Sequence, residues 1–435
     1  MLNKNNFVKK IIKELKRFFE KYPNLDIIIG RLILTISVLF FIRIGTFFPI
    51  PGINQGELAF YLQNHSVAKN LVSNFSGTNN FILGIFTLNI FPFINASIFT
   101  QFLTSASPKL YKMQTDGDLR DIQLITQFTR VFTLIIAIIQ STIVALFLRK
   151  VLFNWSYILA FQVICYLTIG GIIVLWLSDI IKEYGLGNGT SVLISTNIIL
   201  SAPNFIQTVI SENSFTILFN IEFYILLIVL FICVCGMIFL EEGFKKINLI
   251  SSNELNEPNH YRVNSYIPIK YTQSGIMPII FTTSILVIPT YLSNLGMLPK
   301  ISFFGTISPI LYWFTYFLLV FQFSLFYSRI SLNPKNVSIK LKKMNVAISK
   351  VKGNKLYTIR PGIQTAFYLQ QILKRITFIG SIGLSILATL PNFLSYILGY
   401  SNLNSLSITS LLIVVGVVAE LKRQIDSIYY SEITF

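Results

Sequence analysis

Charge is what this sequence has least of. Only 12% of its 435 residues are Asp, Glu, Lys or Arg, against about 25% in an ordinary soluble domain. Hydrophobic residues make up 53% and the mean hydropathy is +0.66, the composition of a polytopic membrane protein. Histidine is nearly absent, and His65 and His260 fall in different loops with no ligand cluster beside them. Cysteine is scarce too: Cys165, Cys233 and Cys235 all lie in apolar runs. Two residues apart on a helix, Cys233 and Cys235 point about 200° from one another and cannot form a clamp. They read as small buried hydrophobes, with no disulfide or metal framework. Neither GxxxxGK[ST] nor GxGxxG occurs, so no nucleotide site and no cofactor are expected. A mid-span Ser/His pair, two mid-span Asp residues and a zinc motif are all missing, and Asp179 stands alone at a helix end, so the chain is not expected to be an enzyme.

Acid is the second shortage. Eighteen Asp and Glu against 35 Lys and Arg give a net charge of +17. This is not by itself a sign of nucleic acid, because cytoplasm-facing loops of membrane proteins collect Lys and Arg. Lysine exceeds arginine, Asn and Ile are frequent, and there are 39 Phe and 20 Tyr, a bias that fits an AT-rich genome such as an organelle's.

What the chain has in plenty is long apolar runs. About 20 apolar residues cross a hydrocarbon core. Spans are expected near 27–47, 81–104, 122–148, 155–178, 190–211, 217–240, 275–295, 308–328, 376–395 and 405–420, the last extending past Glu420 into an amphipathic tail. Before them, residues 1–22 set Phe7, Ile11, Leu15 and Phe18 at helical spacing between lysines, a basic amphipathic helix for the membrane surface. With the N-terminus inside, 28 bases fall on the inner side and four on the outer, which supports an even number of crossings and both termini inside. Arg31, Arg43 and Arg130 lie near span ends, where they can snorkel.

The stretch Phe81–Thr104 is apolar enough to span but carries Asn89, Asn95 and Pro92. Pro92 lacks a backbone N–H, so a helix through it kinks or breaks. In hydrocarbon a break is tolerated only beside protein or a wet cavity. Read alone, the stretch fits both a discontinuous helix lining a path and a kinked helix packed on neighbours.

Two loops are longer than connectors need. Residues 241–273 are of mixed charge, with Glu241, Glu242, Glu254 and Glu257 among the bases. Residues 329–375 hold eleven bases and no acid. Such a loop suits an acidic protein surface or RNA phosphate, or simply a solvated position near anionic lipid. Three short stretches remain. FFPIPG (Phe47–Gly52) reads first as a helix stop. YGLGNGTS (Tyr184–Ser191) reads as a turn with Thr190 or Ser191 capping the next helix, or as a hinge. In IRPGIQT (Ile359–Thr365), Pro361 and Gly362 fix a turn with Arg360 at its edge.

Together with the core FPFINASI, the span MPIIFTTSI and the run TSLLIVV, in this order along nearly the whole chain, these stretches resemble the SecY family, the channel-forming subunits of Sec protein translocases. The resemblance implies an all-α fold of ten transmembrane helices in two pseudosymmetric, inverted five-helix halves around an hourglass pore, here 23–213 and 214–435. It implies a constriction of Ile94 and Ile98 on the second helix, Thr190 and Ile194 on the fifth, Ile280 on the seventh and Ile413 on the tenth. Thr190 departs from the usual aliphatic residue. A plug would occupy 72–86, including Val72, Phe75, Gly77, Gly84 and Phe86, with Gly77 and Gly84 keeping it loosely held. A lateral gate would lie between the second and third helices and the seventh and eighth. Arg360, Pro361 and Gly362 would face the motor ATPase SecA or the ribosome. Docking through 241–273 is the less secure of the two loops, given its acids. Partners implied are SecE-like and SecG-like small subunits, signal peptides, preproteins and the lipid bilayer. The expected place is a thylakoid membrane, or a bacterial plasma membrane, with both termini on the stromal or cytoplasmic side. The competing class is a secondary transporter. Its mid-span ionisable residues are wanting here, since Glu222 lies near a span start.

Overall fold

The computed structural model describes residues 24–53, 56, 83–115, 119–148, 156–212, 221–251, 265–294, 309–331, 333–352, 355–397 and 408–430. The surface helix expected over 1–22, and Val72, Phe75 and Gly77, lie outside the described residues.

Each expected span is met by a helix. These are α1 (Asn24–Phe47), α2 (Phe91–Ala106), α4 (Leu119–Leu148), α5 (Tyr157–Tyr184), α6 (Gly189–Glu212), α7 (Ile221–Glu242), α8 (Met277–Asn294), α9 (Pro309–Ser331), α11 (Ile363–Ile397) and α12 (Ile408–Tyr430). Two short helices, α3 (Pro108–Thr115) and α10 (Pro334–Lys343), sit between them. Among the described residues, segments of α1, α4, α5 and α11 are long and apolar enough on their own to cross a membrane. Local chemistry sets several ends. Ser156 caps α5 by accepting from the Leu159 N–H at 3.1 Å. Asn333 accepts from the Lys335 N–H at 3.1 Å, and Pro334 fills the first position of α10, where no N–H is needed. As expected, α12 runs on past Glu420.

Two boundaries differ from the sequence reading. The second span is not a helix interrupted at Pro92: residues 85–90 form turns, α2 starts at Phe91, and Pro92 occupies its first turn. Proline is tolerated there because the first N–H groups have no intrahelical acceptor. The ninth helix is far longer than 376–395. α11 has 35 residues, or roughly 50 Å at 1.5 Å per residue, against a hydrocarbon core of about 30 Å. Its first turns therefore stand outside the expected span.

The two polar loops are also more ordered than their composition suggests. They supply β1 (Phe244–Ser251) and β2 (Tyr266–Lys270) from one, β3 (Val346–Lys352) and β4 (Lys355–Ile359) from the other. The strands make one antiparallel sheet in the order β2-β1-β3-β4, with Ile247 opposite Ile267 and Leu249 opposite Ile348. Alternation explains it: Ile247, Ile269 and Ile348 turn to one side and pack with Leu341 of α10 and Leu369, Leu373 and Ile376 of α11.

The chain forms two compact units, one of 1–92, 137–200 and 417–435, the other of 93–136 and 201–416. In the first, α1 packs on α5, and Ile50, Leu83, Leu88, Ala137, Val163 and Leu167 make a shared core. In the second, α11 packs against α9, α7 and α10, and α8 against α9.

Candidate functional site

In the first unit, the turn after α1 is more than a helix stop. The Ile50 N–H donates to the Leu83 carbonyl at 3.2 Å and the Ile85 N–H to the Phe48 carbonyl at 3.0 Å, bridging Pro49 to Gly84. Gly84 lies against the Thr46 carbonyl and Gly170 of α5 against the Ile85 carbonyl, so closely that a Cβ at either would collide. Leu83, Leu88 and Ile90 are each 1% exposed. Gly84 and Phe86 are thus held fast, Phe86 against Gly45 of α1. The expected looseness does not extend to Gly84, whose missing side chain serves close packing. Asn89 adopts a left-handed φ of 49° and accepts the Ile90 N–H on its own Oδ1 at 2.9 Å, an internal partner for a residue that is 1% exposed.

YGLGNGTS is a turn built by glycines. The Gly185 N–H closes α5 by donating to the Ile181 carbonyl at 2.8 Å. Gly187 takes φ 88°, a conformation that favours glycine, and its N–H donates to Gln424 Oε1 of α12 at 2.6 Å. Because α6 begins at Gly189, neither Thr190 nor Ser191 caps it. Asn188 stands before it, its carbonyl accepting from the Val192 N–H at 2.9 Å, while the Thr190 hydroxyl donates to Asn188 Oδ1 at 3.3 Å. The reason is steric: Gly189 sits on the Ser178 carbonyl, where only glycine fits. Thr190 and Ile194 are half-buried.

In the second unit, Ile94, Ile98, Ile280 and Ile413 are all buried, and Asn95 is half-buried on α2. Ile94 and Ile98 share one face of α2. The hydroxyls around Ile280 are turned back on α8: Thr282 donates to the Pro278 carbonyl, and Thr283 and Ser284 to the Ile280 carbonyl, at 2.8–2.9 Å. The run FTTS is therefore spent on its own helix, and Ile280 presents hydrocarbon. Further along α2, Phe102 stacks on Phe326 of α9 at 5.2 Å and meets Phe323 edge-on at 5.9 Å. Phe99 meets Phe132 of α4 at 5.1 Å. These rings hold α2 to the helix expected across the lateral gate.

Arg360 follows β4 directly and is exposed, and Gly362 takes φ 128° in the turn that leads into α11. The buried Thr365 hydroxyl donates to the Arg360 carbonyl at 2.7 Å, and the Ala366 N–H to the Gly362 carbonyl at 3.0 Å. The guanidinium thus projects from a fixed backbone. Thr365 was not singled out in the sequence; its place one turn into a helix that starts before the span was the missing signal. Glu241, read as a loop acid, lies in the last turn of α7 and is 2% exposed. Among the described residues no group of three or more His, Cys, Asp or Glu could hold a metal ion.

The backbone has known counterparts. It is similar to the chain described as "the structure of a protein conducting channel", with a TM-score of 0.61 at 18% identity, covering 93% of this chain and 94% of that one. Sec61 in the canine ribosome-channel complex gives 0.58 at 18% identity, with the same coverage. The fold is the one those channel chains share. The SecY family model matches residues 84–422. The protein translocase subunit SecY of Trieres chinensis is 46% identical over 423 residues, 94% of this chain and 97% of its own length. That of Guillardia theta is 38% identical, covering 92% and 95%, and that of Synechocystis 34%, covering 93% and 92%. The chain belongs to the SecY family.

Proposed function

We propose that this chain is the central channel subunit of a Sec translocase, passing unfolded preproteins across the bilayer and membrane helices sideways into it. The observation that carries this reading is the burial of Ile94, Ile98, Ile280 and Ile413, with the hydroxyls beside Ile280 bonded within their own helix. The family resemblance groups these four with Thr190 and Ile194 as a deformable apolar constriction, which repels water and ions when narrow and accommodates any side chain without binding it. The two five-helix halves, 23–213 and 214–435, surround it. The stretch 72–86, with Val72, Phe75, Gly77, Gly84 and Phe86, serves as the plug, and the bridge from Gly84 to Pro49 supports its being tethered at that end. The turns that precede α2, with Pro92 in its first turn and Asn95 one turn on, give the second span the non-helical entry that a path through the bilayer tolerates. Arg360, Pro361 and Gly362 dock SecA or the ribosome, which does the work, because the chain supplies no catalysis of its own. SecE-like and SecG-like subunits complete the complex. The composition and the algal and cyanobacterial relatives favour a thylakoid membrane, both termini in the stroma.

Photocrosslinkers placed at Ile94 and Ile280 should both capture a stalled, signal-bearing nascent chain, and depletion of the protein should leave precursors on the synthesis side. Normal precursor export upon depletion, with loss of a small-solute flux instead, would sink the reading.

A further inference from the structure

Hydroxyls on α2 and α8 are turned back on their own helices. Thr100 donates to the Ser97 carbonyl at 3.1 Å, Thr104 to the Gln101 carbonyl at 2.9 Å and Thr282 to the Pro278 carbonyl at 2.8 Å. Another set in the second unit is not spent in this way. Gln101 Oε1 on α2, both amide atoms of Gln273 just before α8, and the Tyr327 and Ser328 hydroxyls on α9 are buried. None has a hydrogen-bond partner among the described residues. A buried polar atom left unpaired costs roughly as much as a lost hydrogen bond, so such a set calls for a partner.

The four residues are not scattered, because each flanks a contact that joins two of these elements. Gln101 precedes Phe102, which stacks on Phe326 at 5.2 Å. Tyr327 follows Phe326, and its ring meets Phe281 of α8 at 4.9 Å. Gln273 precedes Ser274, whose hydroxyl lies 3.4 Å from that of Ser324, and Ser328 is one turn beyond Ser324 on α9. Against the expected spans 81–104, 275–295 and 308–328, all four fall at the inner ends when the N-terminus is inside. Along α2, Phe99, Phe102 and Leu103 on either side of Gln101 are exposed, so hydrocarbon surface lies beside the unpaired oxygens.

We infer that this junction of α2, α8 and α9 caps the first turn of an apolar signal helix as it enters the gate. The first four N–H groups of a helix have no intrahelical acceptor, and in an apolar gate water cannot serve them. The side-chain oxygens of Gln101, Gln273, Tyr327 and Ser328 accept from these N–H groups, and the apolar side chains that follow pack on Phe99, Phe102 and Leu103. The opposite end of a helix presents carbonyls, which Gln101 Oε1 cannot serve because it only accepts. An acyl chain would cover the rings and leave every oxygen unpaired. The four are positioning residues: they fix where the helix stops without reading its side chains. The inference rests on the channel reading and adds to it how the inner end of a signal is held.

The test compares two precursors with the same apolar core in membranes carrying the full-length protein in its complex. In one, alanines open the signal helix. In the other, Ser stands at the N-cap and Pro at the first helical position, so fewer N–H groups need an outside acceptor. The readout is the export of the alanine precursor relative to the self-capped one. Gln101→Met with Gln273→Met keeps side-chain size and removes the acceptors, and should lower that ratio by at least about fivefold, the effect of one ordinary hydrogen bond. Tyr327→Phe with Ser328→Ala removes only the two hydroxyls and should move the ratio in the same direction, which keeps the test open if the methionine pair assembles poorly. A general loss of gate stability would lower both exports together. An unchanged ratio in both variant pairs, with the wild type exporting both precursors, would overturn the inference and leave the channel reading standing. A wild type that exports neither would sink the channel reading itself, and this inference with it.

Discussion

A methyl group at residue 170 would run into the Ile85 carbonyl, and one at residue 84 into the Thr46 carbonyl. Backbone atoms cannot rotate out of the way as a side-chain tip can, so each alanine forces α5 or α1 away from the bridged segment. Gly170→Ala should destabilise the protein by about 1–3 kcal/mol, the usual range for overpacking. A lowered midpoint of thermal unfolding in detergent checks this, and an unchanged midpoint would show that the close approach is not required. Arg360 is different, since it is exposed and held only through its carbonyl by Thr365. Charge reversal there, Arg360→Glu, should impair motor-driven translocation several-fold while insertion and assembly stay normal. Translocation at the wild-type rate by a stably inserted variant would refute that role.

The sheet is the element that changes the reading of the chain most. Residues near 249 and 348, from two separate loops, are hydrogen-bonded neighbours, and Ile348 is fully buried between them and α10. The two loops are thus one cooperative body and should respond together. Ile348→Ala removes buried methylenes at a cost of about 2–5 kcal/mol. Amide exchange should then speed up in both β1 and β3, although only β3 carries the change. Faster exchange confined to β3 would show that the strands are independent. Basic charge carried on such a sheet, and on an α11 that extends beyond the span, offers a docking partner a shaped surface.

At the scale of the whole molecule, the contact with most mechanical meaning is Phe102 of α2 against Phe323 and Phe326 of α9. In the proposed channel, a lateral gate between α2 and α9 would have to part these rings before an apolar helix could leave for lipid. Phe102→Ala removes two aromatic pairs worth about 0.5–1.5 kcal/mol each beyond their buried area. It should lower the hydrophobicity a signal segment needs for insertion, read as increased export of a precursor with a weakened signal. Bridging Phe102→Cys to Phe326→Cys with a short bismaleimide should have the opposite effect and block insertion. Unimpeded insertion through the bridged protein would place the gate elsewhere.

The sequence by itself determined the class of molecule. Low charge, long apolar runs and the skew of bases between alternate loops are one-dimensional properties, and a bilayer converts them directly into helices and their order. Arg360 at the edge of its turn was legible for the same local reason, because Pro361 and Gly362 act on adjacent backbone. Only the tertiary structure decided what depends on partners distant in sequence: the bridge of Pro49 to Gly84, the bond from Gly187 to Gln424, the pairing of Leu249 with Ile348. The apolar alternation of those strands was visible, in KINLI and YIPIK, but a polar loop offers no buried face until α10 and α11 supply one. The glycines show the limit most plainly. A glycine in a sequence signifies freedom to bend, and at Gly84, Gly170 and Gly189 the fold uses it for the opposite purpose, to let two backbones touch and stay.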